Sequence, residues 1–241
     1  MPNIVTLDSA HHRHLRLIAK PLGRGCAAER FSPIVTVEIP LLAGDLPILL
    51  SKDPETGRFF CGAMLGIDPG EDLFDGPEGI TLGHCPFDRT RTGFYIGEAG
   101  LAVDLDSPRV TADLDGDALF TPDGEPASPL QRIIAALGTF RAGAEPTEAF
   151  IHMVLDHKLV EPVDIGLSFD DGSRRTLQGL YTISQDRLRG LDDEVIVDLF
   201  HRGYLQLIYL IIASFRNIAR LATIKNARLA GDAAPLGAGV L

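Results

Sequence analysis

The stretch Ser128-Pro-Leu-Gln-Arg-Ile-Ile-Ala-Ala-Leu-Gly-Thr-Phe140 divides the chain. Ser128 is a good helix N-cap, and Pro129 suits the first helical position, where its missing N–H costs nothing. Leu130, Ile133, Ile134 and Leu137 then recur at helical spacing. Upstream the composition changes: thirteen of the sixteen prolines lie before residue 130, and proline is poorly tolerated inside helices. The pattern predicts a strand- and turn-rich subdomain over 1–127 and a mainly helical one over 128–241. The expected fold class is therefore α+β, with a mostly antiparallel sheet in the N-terminal half packed against C-terminal helices as one integrated domain.

Working outward from that boundary, the N-terminal half offers candidate strands at 14–19, 34–39, 46–51, 59–65, 93–96 and 101–104. Lys52-Asp-Pro-Glu-Thr-Gly-Arg58 carries Pro54 to preset a turn φ and Gly57 to supply φ > 0, which makes it a hairpin connection. Strands joined by such short turns run antiparallel. On the other side, Arg141-Ala-Gly-Ala-Glu-Pro146 is expected to end the first helix, and Thr147 to cap a second one running towards Leu159. Residues 163–167 and 175–181 flank Asp170-Asp-Gly-Ser173, a hairpin signal, and Ser184 caps a short helix ending at Gly190.

The last element is expected to be one long buried helix over 192–229, with Gly203 allowing a close backbone approach in its middle. Asp192 can cap it, Asp193 and Glu194 suit its positive end, and Lys225 and Arg228 suit its negative end. Its middle, Leu205 to Phe215, is apolar nearly all round. Leu207, Ile208 and Ile211 fall on one face, and Leu205, Tyr209 and Ile212 on another. Covering both faces takes either the helices of 128–159 or a second copy of the chain, and a homodimer through the 192–229 helix is expected.

Composition narrows the class. The chain has 241 residues, 45% of them hydrophobic and 23% charged, with net charge −11. That excludes disorder as the main state and excludes collagen-like or disulfide-scaffold chains. A sequence pI near 5.0 argues against nucleic-acid binding, which needs concentrated Lys and Arg. The acidity is central. Residues 31–130 carry five basic and eighteen acidic side chains, whereas both ends are mildly basic. Cys26, Cys61 and Cys85 form no CxxC pair and suit a reducing compartment. No signal peptide is legible, and the longest uncharged apolar run, Gly203 to Phe215, falls short of the roughly 20 residues of a membrane span. A cytoplasmic protein without a membrane span is expected.

Few residues suggest chemistry. In His11-His-Arg-His14, a strand would turn His12 and His14 to the same side, where they could ligate one iron or zinc ion. Cupin oxygenases use such a pair with a Glu soon after, but here Glu29 is the first carboxylate beyond it. His84-Cys85, with Asp88 nearby, could be a ligand-binding or nucleophilic pair, although a buried or half-buried thiol without a role is the better reading. Asp104-Leu-Asp106 supplies two further ligand-binding candidates. Asp113-Leu-Asp-Gly-Asp117 imitates a calcium loop but has Ala118 and Gly124 where Gly and Glu belong. No phosphate loop, nucleophile elbow or His-Glu-x-x-His helix is present.

Several phrases recur together in order: Phe31-Ser-Pro-Ile-Val35, Asp45-Leu-Pro-Ile48, Lys52-Asp-Pro-Glu-Thr-Gly-Arg-Phe59, and Leu65-Gly-Ile-Asp-Pro-Gly-Glu71 with Leu73-Phe74. Asp104-Leu-Asp-Ser-Pro-Arg-Val110, Ala118-Leu-Phe120, Gly179-Leu-Tyr-Thr-Ile183 and Arg202-Gly-Tyr-Leu205 follow. The set resembles the bacterial SapC-like family, named after a surface-layer-associated protein. The resemblance implies a role around the surface layer, or an accessory role beside flavin-dependent halogenases, cupin-like oxygenases and outer-membrane receptors. It carries over no catalytic residues. The expected function is a non-catalytic binding or accessory protein, without cofactor, that recognises a peptide or a partner protein. The alternative is a metal-dependent oxygenase-type or peptide-modifying enzyme using His12 and His14 with iron or zinc.

Overall fold

The computed structural model describes residues 3–18, 30–74, 82–113 and 116–232. In chain order these form β1 (Ile4–Thr6), α1 (Ser9–His12), β2 (Arg16–Leu17), β3 (Phe31–Pro33), a 3-10 turn (Thr36–Glu38) and α2 (Ile39–Leu42). Then come β4 (Ile48–Lys52), β5 (Phe59–Met64), α3 (Phe87–Thr90), β6 (Phe94–Gly97), β7 (Gly100–Asp104), β8 (Val110–Thr111) and β9 (Asp117–Ala118). The remainder is α4 (Ser128–Asp156), β10 (Val160–Ser168), β11 (Arg174–Ile183), α5 (Gln185–Arg189), α6 (Asp193–His201), α7 (Tyr204–Ser214) and α8 (Asn217–Asp232).

The architecture is α+β. The main sheet has strand order β10-β11-β4-β5-β3, and two three-stranded sheets have orders β1-β7-β6 and β8-β2-β9. Every described pairing is antiparallel. In β4, Ile48, Leu49 and Leu50 are all at zero exposure. Neighbouring strand residues point to opposite faces, so both faces of this strand are covered. One flank is α7, whose Ser214 hydroxyl accepts the Ile48 N–H at 2.9 Å. At the start of α8, Asn217 donates to the carbonyls of Ala43 and Leu46. Two buried clusters result, and α4 joins both. Leu130, Ile133 and Leu137 pack with Leu15, Phe94 and Val103, while Phe150, Ile151 and Val154 enter the larger core.

Four expectations need correction. Residues 34–39 are not a strand: Pro40 sits in the first turn of α2, and the chain coils from Thr36 onward because the Glu38 carboxylate accepts the Val35 N–H at 3.0 Å. Residues 14–19 yield only β2, with Ala19 outside the described residues. The break expected at 141–146 does not occur. The α4 helix runs through Pro146, held by burial along its length, and tertiary packing here overrides propensity. The long helix over 192–229 is three helices, not one. Gly203 adopts φ 73°, in the left-handed region, which ends α6 and restarts the chain as α7. Nothing approaches its Cα side closely, so the glycine serves a turn rather than a close contact. A second break at 215–216 separates α8. The segment Tyr204–Ala230 is still long and apolar enough by composition to cross a membrane. Here, however, Ser214 and Asn217 fasten it to β4 and α2.

The turn at Thr36–Glu38 docks on α4 at one place. Thr147 Oγ accepts the Thr36 N–H at 2.9 Å and donates to the Gly143 carbonyl at 2.6 Å. A Cβ on Gly143 would stand 2.7 Å from Val35 Cβ. Gly143→Ala gains about 1 kcal/mol of helix propensity but overpacks Val35, which costs about 1–3 kcal/mol. Urea unfolding is expected to show a net loss of about 1 kcal/mol, and a gain would mean the helix can slide away.

Candidate functional site

The densest polar arrangement surrounds Glu38. Its side chain is at zero exposure, where a carboxylate persists only if its oxygens are occupied. One oxygen accepts the Val35 N–H of its own turn. The other accepts the Phe87 N–H at 2.7 Å, the first N–H of α3, which has no side-chain cap of its own. His84 Nε2 lies 3.5 Å from the same oxygen, and the imidazole meets the Phe87 ring edge-on at 4.9 Å. Burial pushes the Glu38 carboxyl above the ordinary glutamate range, while the two N–H groups and His84 pull it back part of the way.

The segment carrying His84 is pinned from other sides. Arg89 pairs with the buried Asp72 at 2.7 Å, and Asp72 accepts the Phe74 N–H at 2.8 Å. Arg109 donates to the carbonyls of Arg89 and Thr90 at 2.9 and 2.8 Å. Arg91 pairs with Asp88 and stacks over the Phe140 ring of α4 at 5.2 Å. Arg228 of α8 donates to the carbonyls of Asp72 and Leu73, so both ends of this network reach the helical half.

The structure brings some candidate residues together and separates others. His84 meets Glu38, and Cys85 beside it is exposed and free. Asp88 is spent on Arg91. The Asp104 carboxylate accepts the N–H groups of Asn3 and Asp106 at 2.9 and 3.1 Å, which closes a turn at the end of β7. His12 ends α1 and His14 lies in the following turn, so strand alternation does not place them side by side. His12 Nδ1 accepts the Asp8 N–H at 3.2 Å. Among the described residues no group of three or more His, Cys, Asp and Glu could hold a metal ion. Cys61 is buried, its thiol pushed up to about 12 by desolvation, and Cys26 and part of Asp113–Asp117 lie outside the described residues.

Glu38, Asp72 and Arg89 went unnoticed in the sequence. The signal for Glu38 was available: it is the lone charge in the apolar run Ile34–Leu42. Chemically, a fully buried carboxylate faces an imidazole nitrogen 3.5 Å away, and the exposed neighbour is a thiol.

A family model described as SapC matches residues 7–221. No curated protein and no solved structure matches significantly.

Proposed function

The chain belongs to the SapC family, and from that premise we propose that it is a non-catalytic binding or accessory protein of the cytoplasm. It recognises a peptide or partner protein in the service of peptide or small-molecule modification or of the surface layer. The observation that carries this reading is the outer face of α6 and α7. Val197, Phe200 and Tyr209 are 51%, 68% and 56% exposed, and Leu205 and Ile212 beside Tyr209 are only half-buried. Exposed aromatic side chains such as Phe200 and Tyr209 are the material of interfaces. Ile212 and Phe215 also line a cleft of about 420 Å³, together with Glu161, Thr182, Ser184 and Arg189. The free thiols of Cys61 and Cys85 are consistent with a reducing compartment.

The first occupant to test is a second copy, since α7 buries Ile208 and Ile211 inward and leaves Tyr209 facing solvent, while Leu205 and Ile212 beside it are only partly covered by the core they pack against. Light scattering at micromolar concentration is expected to give about twice the 26.0 kDa chain mass, and Tyr209→Glu to return it to the single-chain value. A concentration-independent 26.0 kDa for the unaltered protein would overturn the homodimer. Elemental analysis of chelator-free protein addresses the non-catalytic reading separately. Stoichiometric iron or zinc, lost in His12→Ala and His14→Ala, would replace it with the metal-dependent one.

A further inference from the structure

We propose that Glu38 and His84 form a proton-operated latch that holds the His84–Arg91 segment, and with it the exposed Cys85, against the Thr36–Glu38 turn and α4. The proposal is independent of what the α6–α7 face binds. Its geometry is a carboxylate at zero exposure that caps α3 from 49 residues away. The nearest titratable partner stands at 3.5 Å, too far for a settled hydrogen bond. The Nε2 atom is itself buried, with no other hydrogen-bond partner among the described residues.

The charged groups around this pair are themselves paired: beside His84, Asp45 accepts the Gly83 N–H at 3.4 Å and is held by Arg220 at 2.8 Å. The α2 helix carries no charged residue, and α4 turns Gly143 and Thr147 towards the Thr36–Glu38 turn. On α3, Arg89 pairs with Asp72 and Asp88 with Arg91. With an unprotonated carboxylate and a neutral imidazole, the pair holds one negative charge away from water. Taking up one proton, on Oε1 or on Nε2, makes the pair neutral overall and gives the 3.5 Å gap a bridging hydrogen. The sign follows from the raised Glu38 carboxyl. The folded state binds a proton the unfolded chain does not, so this contribution is complete at low pH and is lost as pH rises through the raised folded value. The latch therefore closes on acidification and loosens towards neutrality.

Two measurements on the full chain test the latch. In protein labelled with ¹³C at the glutamate carboxyls, Glu38 is expected to titrate above the ordinary value of about 4.3 and to move higher still in His84→Gln. Hydrogen exchange at Phe87, divided by the intrinsic rate at each pH, is expected to be better protected at pH 5 than at pH 7, the direction set by the raised carboxyl. Glu38→Gln, if it folds, should abolish that difference. Equal protection at both pH values, or a Glu38 that titrates in the ordinary glutamate range, would overturn the latch, and both readouts need only the unaltered sequence.

Discussion

Glu38→Ala is expected to destabilise the protein by about 3 kcal/mol, as read by urea unfolding at neutral pH. The carboxylate accepts two buried N–H groups, Val35 and Phe87. Leaving a buried donor unsatisfied costs about 1–3 kcal/mol each. Relief of carboxylate desolvation offsets part of that sum, because burial works against the charged form here. For a chain of this size the loss corresponds to a fall in Tm of roughly 6–12 °C. Glu38→Gln keeps one acceptor and turns an NH₂ group towards the other N–H, so it should fall between the two. The pH dependence adds a further check. The raised carboxyl makes Glu38's own contribution grow on acidification, so the gap to Glu38→Ala should widen from pH 7 to pH 5. A gap under about 1 kcal/mol at both pH values would mean that the α3 segment finds another cap.

What could be read from the sequence was what local chemistry decides. The β4–β5 hairpin follows from Pro54 and Gly57 and the β10–β11 hairpin from Asp171-Gly172, while α4 starts one residue before the expected position, with Ser128 already helical, Ala127 as N-cap and Pro129 in its first turn. The misses share a cause. The periodicity of Ile196 through Leu221 cannot reveal that φ at Gly203 is positive, because a turn between two helices can leave the apolar spacing nearly intact. Pro146 reads as a breaker until the burial of Leu137, Gly143, Thr147 and Phe150 on one helix is known. The Glu38 arrangement depends on a contact between positions 49 apart, and nothing in either segment names the other. His12 and His14 were paired on a strand rule, but α1 carries the first of them because Asp8 caps the His11 N–H at 2.9 Å.

The turn at Gly66 is where the same network is most exposed to a single methyl group, and Gly66→Ala is expected to cost 3 kcal/mol or more. A Cβ there would lie 2.0 Å from the carbonyl oxygen of Glu71 and 2.7 Å from its carbon. Both are backbone atoms, which no rotamer change can move. Overpacking ordinarily costs about 1–3 kcal/mol, and here the displaced residue is already committed. The Glu71 carboxylate accepts the N–H groups of Ile67 and Asp68 at 3.0 and 3.1 Å and pairs with Lys225 of α8. Lys225 and Arg175 also hold Asp68, at 2.9 and 2.7 Å. Two residues on, Leu73 is at zero exposure, and Asp72 anchors Arg89 of the His84–Arg91 segment. Shifting Glu71 therefore loosens α8, the core and the α3 segment together. Gly70→Ala in the same turn is the control. Its φ is 73° but its surroundings are open, so it pays only the left-handed penalty of about 1–2 kcal/mol. If Gly66→Ala unfolds at the same urea concentration as Gly70→Ala, the close approach to Glu71 is not what holds this turn.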